Sequence, residues 1–136
     1  MPDKVFIDTN VFFYLYSLDE AEKRSKAAKV LNTYECITST QVLNELCNIF
    51  IKKMKLPIEA VKTVIHEICS SCDIVEVNRD TIEQALKLHN KYKYSYYDCL
   101  VLSSALSSNC KIIFTEDLHD THIINNRLTV VNILSS

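Results

Sequence analysis

The sequence predicts an α/β fold in which helices cover both faces of a central parallel sheet. Short apolar segments of strand length alternate along the chain with longer amphipathic segments of helical period. This alternation is typical of parallel sheets with helical crossovers. Acidic residues also follow two of the apolar segments, Asp8 the first and Asp117 a later one. In open α/β sheets functional groups collect beyond the carboxyl ends of the strands.

Five short segments are predicted strands. Residues 4–8 form an apolar run of buried-strand length, and residues 74–77 alternate apolar and polar side chains. The other candidates are residues 36–37, 111–115 and 129–133.

Six segments are predicted helices, at residues 10–16, 19–32, 40–54, 57–70, 80–92 and 95–108. Thr40 and Ser95 are expected to cap the third and sixth, and Pro57 to occupy the first position of the fourth. One side of the fifth helix is expected to face the core through Ile82, Ala85, Leu86 and Leu88.

Length and composition indicate one globular domain. The 136 residues suggest a single core spanning residues 1–136, and no apolar run approaches the roughly 20 residues of a membrane span. The apolar stretch at residues 5–15 carries Asp8 and Asn10 and lacks a small-residue cleavage site, which is atypical of a signal peptide. We therefore expect a cytoplasmic protein with no membrane association.

The charge balance neither requires nor excludes a nucleic acid partner. The net charge is −2, but setting aside four candidate site acids leaves 13 of the 17 acidic residues against 15 basic ones. The remaining surface is therefore slightly basic. Glycine is absent, which argues against a glycine-rich phosphate loop or a classical dinucleotide-binding motif.

The cysteines and histidines give little support for a zinc site. Cys69 and Cys72 form a C-x-x-C pair without a second pair, so neither a zinc nor a redox role is favoured. His119 and His122 lie in a polar segment and are expected at the surface. Free cysteines in apolar contexts act as small hydrophobic residues. Such contexts surround Cys36, Cys47, Cys99 and Cys110.

Four acidic residues are candidates for one shared site. Asp8 and Asp117 follow predicted strands, and Glu45 and Asp98 lie on apolar stripes of predicted helices. All four are therefore expected against the core, with Asp98, in the first turn of its helix, near the rim. An isolated buried carboxylate costs several kcal/mol or takes up a proton, whereas a cluster that binds cations stays ionised. Oxygen ligands without a Cys/His cluster favour Mg²⁺ or Mn²⁺ over zinc.

Each of these acids also has a local structural explanation. Asp8 fits an N-cap, and Ser95 with Asp98 fits a capping box. Glu45 could pair with a lysine further along its helix, and Asp117 could be a turn residue. A shared site is favoured because it explains all four positions together.

Four motifs of the chain resemble, in order and spacing, those of PIN domains. They are Asp8-Thr9-Asn10-Val11, Val42-Leu43-Asn44-Glu45, Tyr96-Tyr97-Asp98-Cys99-Leu100-Val101-Leu102 and Thr115-Glu116-Asp117-Leu118. The resemblance covers essentially the whole chain and is greatest to the VapC-type toxins of bacterial and archaeal toxin–antitoxin pairs. It implies a three-layer α/β/α PIN-like fold with a central sheet of about five parallel strands.

The resemblance also implies a Mg²⁺- or Mn²⁺-dependent endoribonuclease that hydrolyses phosphodiester bonds of RNA. It implies in addition a homodimer and a cognate antitoxin. The family's catalytic and metal-binding acids map onto Asp8, Glu45, Asp98 and Asp117. Its supporting polar residues map onto Asn10 and Thr115. Glu116, a further supporting candidate, and Asp120 stand so near Asp117 that the identity of the fourth acid stays open.

Charge and aromatic residues interleave just before Asp98. Tyrosines can stack on unpaired bases while lysines contact phosphates. The candidates for substrate binding are Lys91, Tyr92, Lys93 and Tyr94. Packing of Tyr92 and Tyr94 in the core is the alternative, and Tyr97 is expected to be a core residue.

Two other functions remain to be weighed. A phosphatase with an aspartyl nucleophile at Asp8 would ordinarily carry a second aspartate two residues on, where this chain has Asn10. A catalytically inactive PIN-like module that binds RNA or protein has no need of four acids, and a cleavage assay separates it from an enzyme. For an antitoxin, the apolar surface beside the predicted helix at residues 40–54, toward Ile51 and Met54, is the expected docking groove.

Overall fold

The structure is a computed structural model that describes residues 3–135. Within this range the chain forms six β-strands and six α-helices. The strands are β1 (Lys4–Ile7), β2 (Glu35–Ser39), β3 (Asp73–Val75), β4 (Ile112–Phe114), β5 (Ile123–Ile124) and β6 (Leu128–Val131). The helices are α1 (Thr9–Leu15), α2 (Ala21–Thr33), α3 (Thr40–Asn48), α4 (Ile58–Ser71), α5 (Arg79–Tyr92) and α6 (Tyr96–Ser107).

The sheet has the strand order β3-β2-β1-β4-β6-β5. All neighbouring strands are parallel except β5, which pairs antiparallel with β6. The central strand β1 is buried on both faces, since Val5, Phe6 and Ile7 are all inaccessible. A parallel sheet covered on both faces was the prediction, and it is confirmed. The two-residue strand β5 is an addition that its polar surroundings did not indicate.

The helix starts differ from the predictions in two details. Ser39, not Thr40, caps α3, and its hydroxyl accepts the N–H of Val42 at 3.3 Å. Thr40 Oγ1 instead accepts the N–H of Val77 at 3.1 Å. Pro57 is the N-cap of α4 and not its first helical residue, as was predicted; the helix begins at the next residue, Ile58.

The predicted helix at residues 40–54 consists of two parts. After α3 the chain continues as a π-helical segment, Ile49–Lys53. Its wider turn changes which side chains share a face with Glu45, and such segments are frequent at functional sites.

On α5, half of the predicted core face is wrong. Ala85 and Leu88 are buried, but Ile82 and Leu86 are 40% and 54% exposed. The buried stripe begins instead at Thr81, which shares the face of Ala85 and Leu88 at a helical spacing.

The connection between α5 and α6 positions one of the candidate acids. Lys93 has a left-handed backbone (φ 66°) that ends α5, and Ser95 then caps α6. The body of α6 is buried from Cys99 to Leu106. Asp98 consequently lies at the exposed start of a helix that is otherwise inside the molecule. Within residues 3–135 no helix is long and apolar enough to cross a bilayer.

Candidate active site

The adjacent carboxyl ends of β1 and β4 bring the first part of the site together. Asp8 directly follows β1, and its N–H donates to the carbonyl of Phe114 at the end of β4 (3.1 Å). Thr115 is the next residue after β4, and its hydroxyl donates to Asp8 Oδ2 at 2.7 Å. These contacts confirm the prediction that the ends of the two strands meet at the same edge of the sheet.

Asp8 is the buried acid of the site, with 4% of its surface exposed. It is also the N-cap of α1, since its Oδ1 accepts the Thr9 N–H at 2.7 Å. Burial raises the pKa of Asp8 to about 7, and the negative charges of Asp117 and Glu45 add to the rise. The hydrogen bonds from Thr115 and Thr9 oppose it. A carboxylate held this way gains from a nearby cation.

Asn10 and Thr115 link the acids of the two strand ends. Asn10 Nδ2 donates to Asp117 Oδ2 at 3.0 Å and to Thr115 Oγ1 at 3.4 Å. Asn10 Oδ1 accepts the Glu116 N–H at 3.2 Å, and Thr115 Oγ1 accepts the Asp117 N–H at 3.1 Å. The two predicted supporting residues thus fix the loop after β4 against the start of α1.

Glu45 contacts the same region from α3. Its Oε2 accepts the Thr9 hydroxyl at 2.8 Å, and its Oε1 accepts Gln41 Nε2 at 3.0 Å. Both partners are polar neighbours of the site that sequence reasoning missed. Gln41 precedes Glu45 by one helical turn, which is a usable signal, whereas Thr9 comes from a distant part of the chain.

Asp98 approaches from the first turn of α6. Its N–H donates to Ser95 Oγ at 3.2 Å, so the cap seen in the sequence is formed. Burial raises the pKa of Asp98, and the charges of Asp117 and Glu45 raise it further. The same two acids act on Asp8. Asp8 and Asp98 therefore share the same two acidic neighbours, Asp117 and Glu45.

Burial was expected for the four acids, with Asp98 near the rim of the core, and only Asp8 is fully buried. Asp117 is exposed, because it lies in the loop beyond β4, and Glu45 and Asp98 are half-buried. Of the neighbouring candidates, Glu116 is half-buried and borders the same cleft as Asp117. Asp120 is exposed and accepts the Asn132 N–H at 2.9 Å.

A cleft of about 270 Å³ opens beside Glu45 and Asp117. It adds aromatic and basic side chains that the motifs did not include. Lys53 Nζ lies 5.1 Å from the ring centroid of Phe13, and Lys23 Nζ lies 4.4 Å from that of Tyr14. The complete lining is Thr9, Asn10, Phe13, Tyr14, Glu45, Ile49, Lys53, Glu116 and Asp117.

Tyr92 and Tyr94 are held by the segment around β5. The Tyr92 hydroxyl accepts the Asn125 N–H at 2.8 Å, and the Tyr94 hydroxyl lies 2.6 Å from His122 Nδ1. Both tyrosines pack against the hydrophobic core. Their role in RNA binding remains a prediction, as does that of the exposed Lys91 and Lys93.

Tyr97 does not pack in the core. It is 61% exposed, because it lies in the first turn of α6 on the side away from the buried face. Its ring meets that of Tyr96 edge to face, with centroids 5.6 Å apart.

The carboxylate oxygens at this site are the type of ligand that a hard divalent cation prefers. Among the described residues, no three carboxylate, imidazole or thiol side chains stand close enough together to hold one metal ion. Hydrogen bonds direct the carboxylates toward Thr115, Thr9, Gln41 and Asn10. Mg²⁺ keeps several waters and commonly binds one or two carboxylates, so it does not require three converging donors. Asp8, whose pKa is raised by burial and by its acidic neighbours, would gain from such an ion.

Comparison with known proteins assigns the fold to a family. The model of the PIN domain family matches residues 5–123, and the chain belongs to that family. Among curated proteins no relative matches the sequence.

Three solved structures illustrate the similarity. A toxin–antitoxin complex from Klebsiella pneumoniae superposes with a TM-score of 0.72 at 21% identity, over 95% of this chain and 97% of that one. The sarcin-ricin loop cleaving toxin VapC20 of Mycobacterium tuberculosis gives 0.65 at 18% identity, over 80% and 86%. A DNA-bound VapBC from Salmonella typhimurium gives 0.65 at 17% identity, over 94% and 98%. At these identities the likeness concerns the fold.

Proposed function

We propose that the protein is a divalent-metal-dependent endoribonuclease of the PIN family and the toxin of a toxin–antitoxin pair. The observation that carries the proposal is that Asp8 and Asp117, beyond β1 and β4, lie in one electrostatic environment with Glu45 of α3 and Asp98 of α6. Burial raises the pKa values of both Asp8 and Asp98, and the charges of Asp117 and Glu45 raise them further. Mutual repulsion of this kind is unfavourable in a purely structural site, and it is relieved by a bound cation.

In this proposal Asp8 and Asp98 hold Mg²⁺ or Mn²⁺, with Glu45 and Asp117 completing the site or orienting water. When bound, the cation supplies charge compensation at the scissile phosphate and lowers the pKa of a water molecule. Thr115 fixes Asp8 through its 2.7 Å hydrogen bond, and Asn10 fixes Asp117 at 3.0 Å. Such oriented ligands are typical of metal sites. The product is a cut phosphodiester.

The cleft beside the acids is the proposed path of the RNA strand. Phe13 and Tyr14 offer rings for stacking on unpaired bases, and Lys53 offers a positive charge for a phosphate. Lys53 reaches the cleft because the π-helical segment continues α3 past Glu45. Glu116 and Asp117 border the cleft and Asp120 does not belong to its lining; the hydrogen bond from Asn10 to the Asp117 carboxylate supports Asp117 as the fourth acid.

Cleavage of a labelled single-stranded RNA by the purified full chain tests the enzyme proposal. Cleavage is expected with Mg²⁺ or Mn²⁺ and should stop in excess chelator. Asp117→Asn should remove most activity, while Asp120→Asn, a matched change three residues away, should retain it. RNA that is bound but left whole would favour the catalytically inactive module. Undiminished cleavage in chelator would contradict a metal-dependent reaction.

The antitoxin is the second part of the proposal. The solved structures that resemble this fold include a toxin–antitoxin complex and a VapBC complex. An apolar groove of about 440 Å³ lies along α4, lined by Ile58, Val61 and Ile65 together with Cys47 of α3. Ile58 is 54% exposed and Ile51, in the π-helical segment, 45%. We expect an apolar segment of the antitoxin here and one of its arginines at the acids, where it can pair with a carboxylate.

Co-expression with the genomic neighbour tests this partner. The chain alone should arrest growth, and the neighbour should both relieve the arrest and co-purify with the chain. Ile58→Asp should weaken co-purification, whereas Thr63→Asp, which adds the same charge at an exposed position of α4 outside the groove lining, should not. A harmless lone chain that behaves like its Asp98→Asn variant would refute the toxin role. It would leave a nuclease of narrow substrate range possible. Because the proposed substrate is RNA, we expect the activity in the cytoplasm. The homodimer that the family resemblance implies is tested by sedimentation.

A further inference from the structure

Three cysteines line one cleft at the opposite end of the sheet from the acids. Cys36 lies near the start of β2, and Cys72 lies between the end of α4 and the start of β3. Cys69 precedes Cys72 by about one turn, on the last part of α4. The cleft has a volume of about 320 Å³, and its lining includes all three residues. A small solute in this cleft therefore lies beside Cys36 and Cys72, which are otherwise buried.

The strand register sets two of these cysteines side by side. The strands β2 and β3 are parallel, with Ile37 opposite Asp73. One residue earlier on each strand stand Cys36 and Cys72, and Cys72 already has an extended backbone (φ −131°, ψ 150°). Adjacent strands lie about 4.8 Å apart. That separation falls within the roughly 4.4–6.8 Å between Cα atoms that a disulfide bridges.

The two thiols also influence each other. Their interaction lowers the pKa of Cys36 and raises that of Cys72. In the reduced protein the Cys36 thiol donates to the carbonyls of Tyr34 at 3.5 Å and Val30 at 3.8 Å. The thiolate is the form of cysteine that reacts with electrophiles. All six cysteines of the chain are free thiols in the structure.

We propose that Cys36 and Cys72 form a peroxide-oxidisable dithiol that closes to an intramolecular disulfide. The Cys36 thiolate attacks one oxygen of hydrogen peroxide, and the O–O bond breaks. The departing hydroxide takes up a proton as water, and Cys36 becomes a sulfenic acid. The Cys72 sulfur, losing its proton, then attacks the Cys36 sulfur, and the S–O bond breaks with release of a second water. Two thiols and one peroxide thus give one disulfide and two waters.

The pairing differs from the one that the C-x-x-C spacing suggests. Cys69 is exposed and lies on helix α4, whereas Cys72 has left the helix and faces its strand neighbour. The disulfide would tie the start of β2 to the junction of α4 and β3. Closing the loop between positions 36 and 72 should raise the melting temperature by roughly 10 °C.

Peroxide treatment of the purified full chain, followed by alkylation and peptide mapping without reductant, tests the proposal. The expected product has lost two hydrogen atoms, contains a Cys36–Cys72 linked peptide and melts at a higher temperature. Dithiothreitol should reverse all three changes. A Cys69–Cys72 or Cys36–Cys110 link, or oxidation confined to Cys69 without a link, would overturn it.

Serine variants separate the pair from its neighbours. Cys36→Ser and Cys72→Ser should each abolish the link and the rise in melting temperature. Cys69→Ser and Cys110→Ser should leave both in place. If the buried serines prevent folding, the linked peptide of the wild-type chain and the Cys69→Ser result still decide the matter. The Cys36→Ser variant cannot form the Cys36–Cys72 disulfide. A peroxide-induced rise in its melting temperature as large as that of wild type would therefore also contradict the proposal.

Discussion

Asp8→Asn should make the metal-free protein more stable at neutral pH and remove part of its pH dependence. The pKa of Asp8 is about 7 in the folded chain against an ordinary 3.8. Between these values the folded state holds a proton that the unfolded state has released. The contribution of Asp8 protonation to the free energy of unfolding is therefore fully present below about pH 4 and is lost as the pH rises toward 7. A shift of about three units at about 1.4 kcal/mol each gives roughly 4 kcal/mol.

The asparagine variant keeps part of the local structure. Its side-chain oxygen can still accept the Thr9 N–H, but its amide faces the Thr115 hydroxyl with a donor instead of an acceptor. That mismatch costs about 1 kcal/mol at every pH. The variant should consequently exceed wild type by roughly 3 kcal/mol at pH 8 and lose this advantage in acid.

Urea denaturation in chelator at pH 5, 6, 7 and 8 measures the difference. The free energy of unfolding of Asp8→Asn minus that of wild type should rise by about 1.4 kcal/mol per pH unit up to pH 7. Asp19→Asn, a change of the same kind at an exposed aspartate, controls for surface charge. Parallel curves for wild type and Asp8→Asn would refute the view that burial keeps Asp8 protonated.

Three further predictions concern the site and its support. Asn10→Ala removes the 3.0 Å bond to Asp117 and should lower single-turnover cleavage by roughly 10- to 100-fold; unchanged cleavage would show that Asn10 does not orient the site. Lys53→Ala should weaken RNA binding in fluorescence anisotropy and reduce the slope of log affinity against log salt by about 0.7. An identical slope would place Lys53 outside the RNA path. Ser39→Ala should lose about 1 kcal/mol in urea denaturation through its α3 cap, whereas Ser70→Ala, at an exposed serine, should not.

Much of the fold, and the place of Asp8 at the end of a strand, could be predicted because the deciding signals are local. A run such as Val5–Ile7 indicates a buried strand, and Asp8 follows it directly. Alternating strands and helices then bring strand ends to one edge, where Asp8 meets Thr115. The spacing from Ser95 to Asp98 correctly indicated a helix start.

The features that were missed depend on contacts between distant residues. Thr9 and Glu45 are separated by 36 positions, and only the packing of α1 beside α3 brings them together. Lys53 reaches the cleft through a π-helical turn, which a 3.6-residue period does not describe. The exposure of Asp117 follows from where the chain leaves β4. The neighbouring positions of Cys36 and Cys72 follow from the register of β2 and β3.

The most direct measurement of the central claim is a Mn²⁺ titration in which binding and RNA cleavage are followed on the same samples. In wild type, the cleavage rate should rise in proportion to bound Mn²⁺ and reach a plateau when binding saturates. Asp98→Asn should lose both binding and cleavage while keeping a cooperative urea transition. Full cleavage by a sample without bound Mn²⁺, or undiminished binding and cleavage by Asp98→Asn, would contradict a metal-dependent nuclease at this cluster.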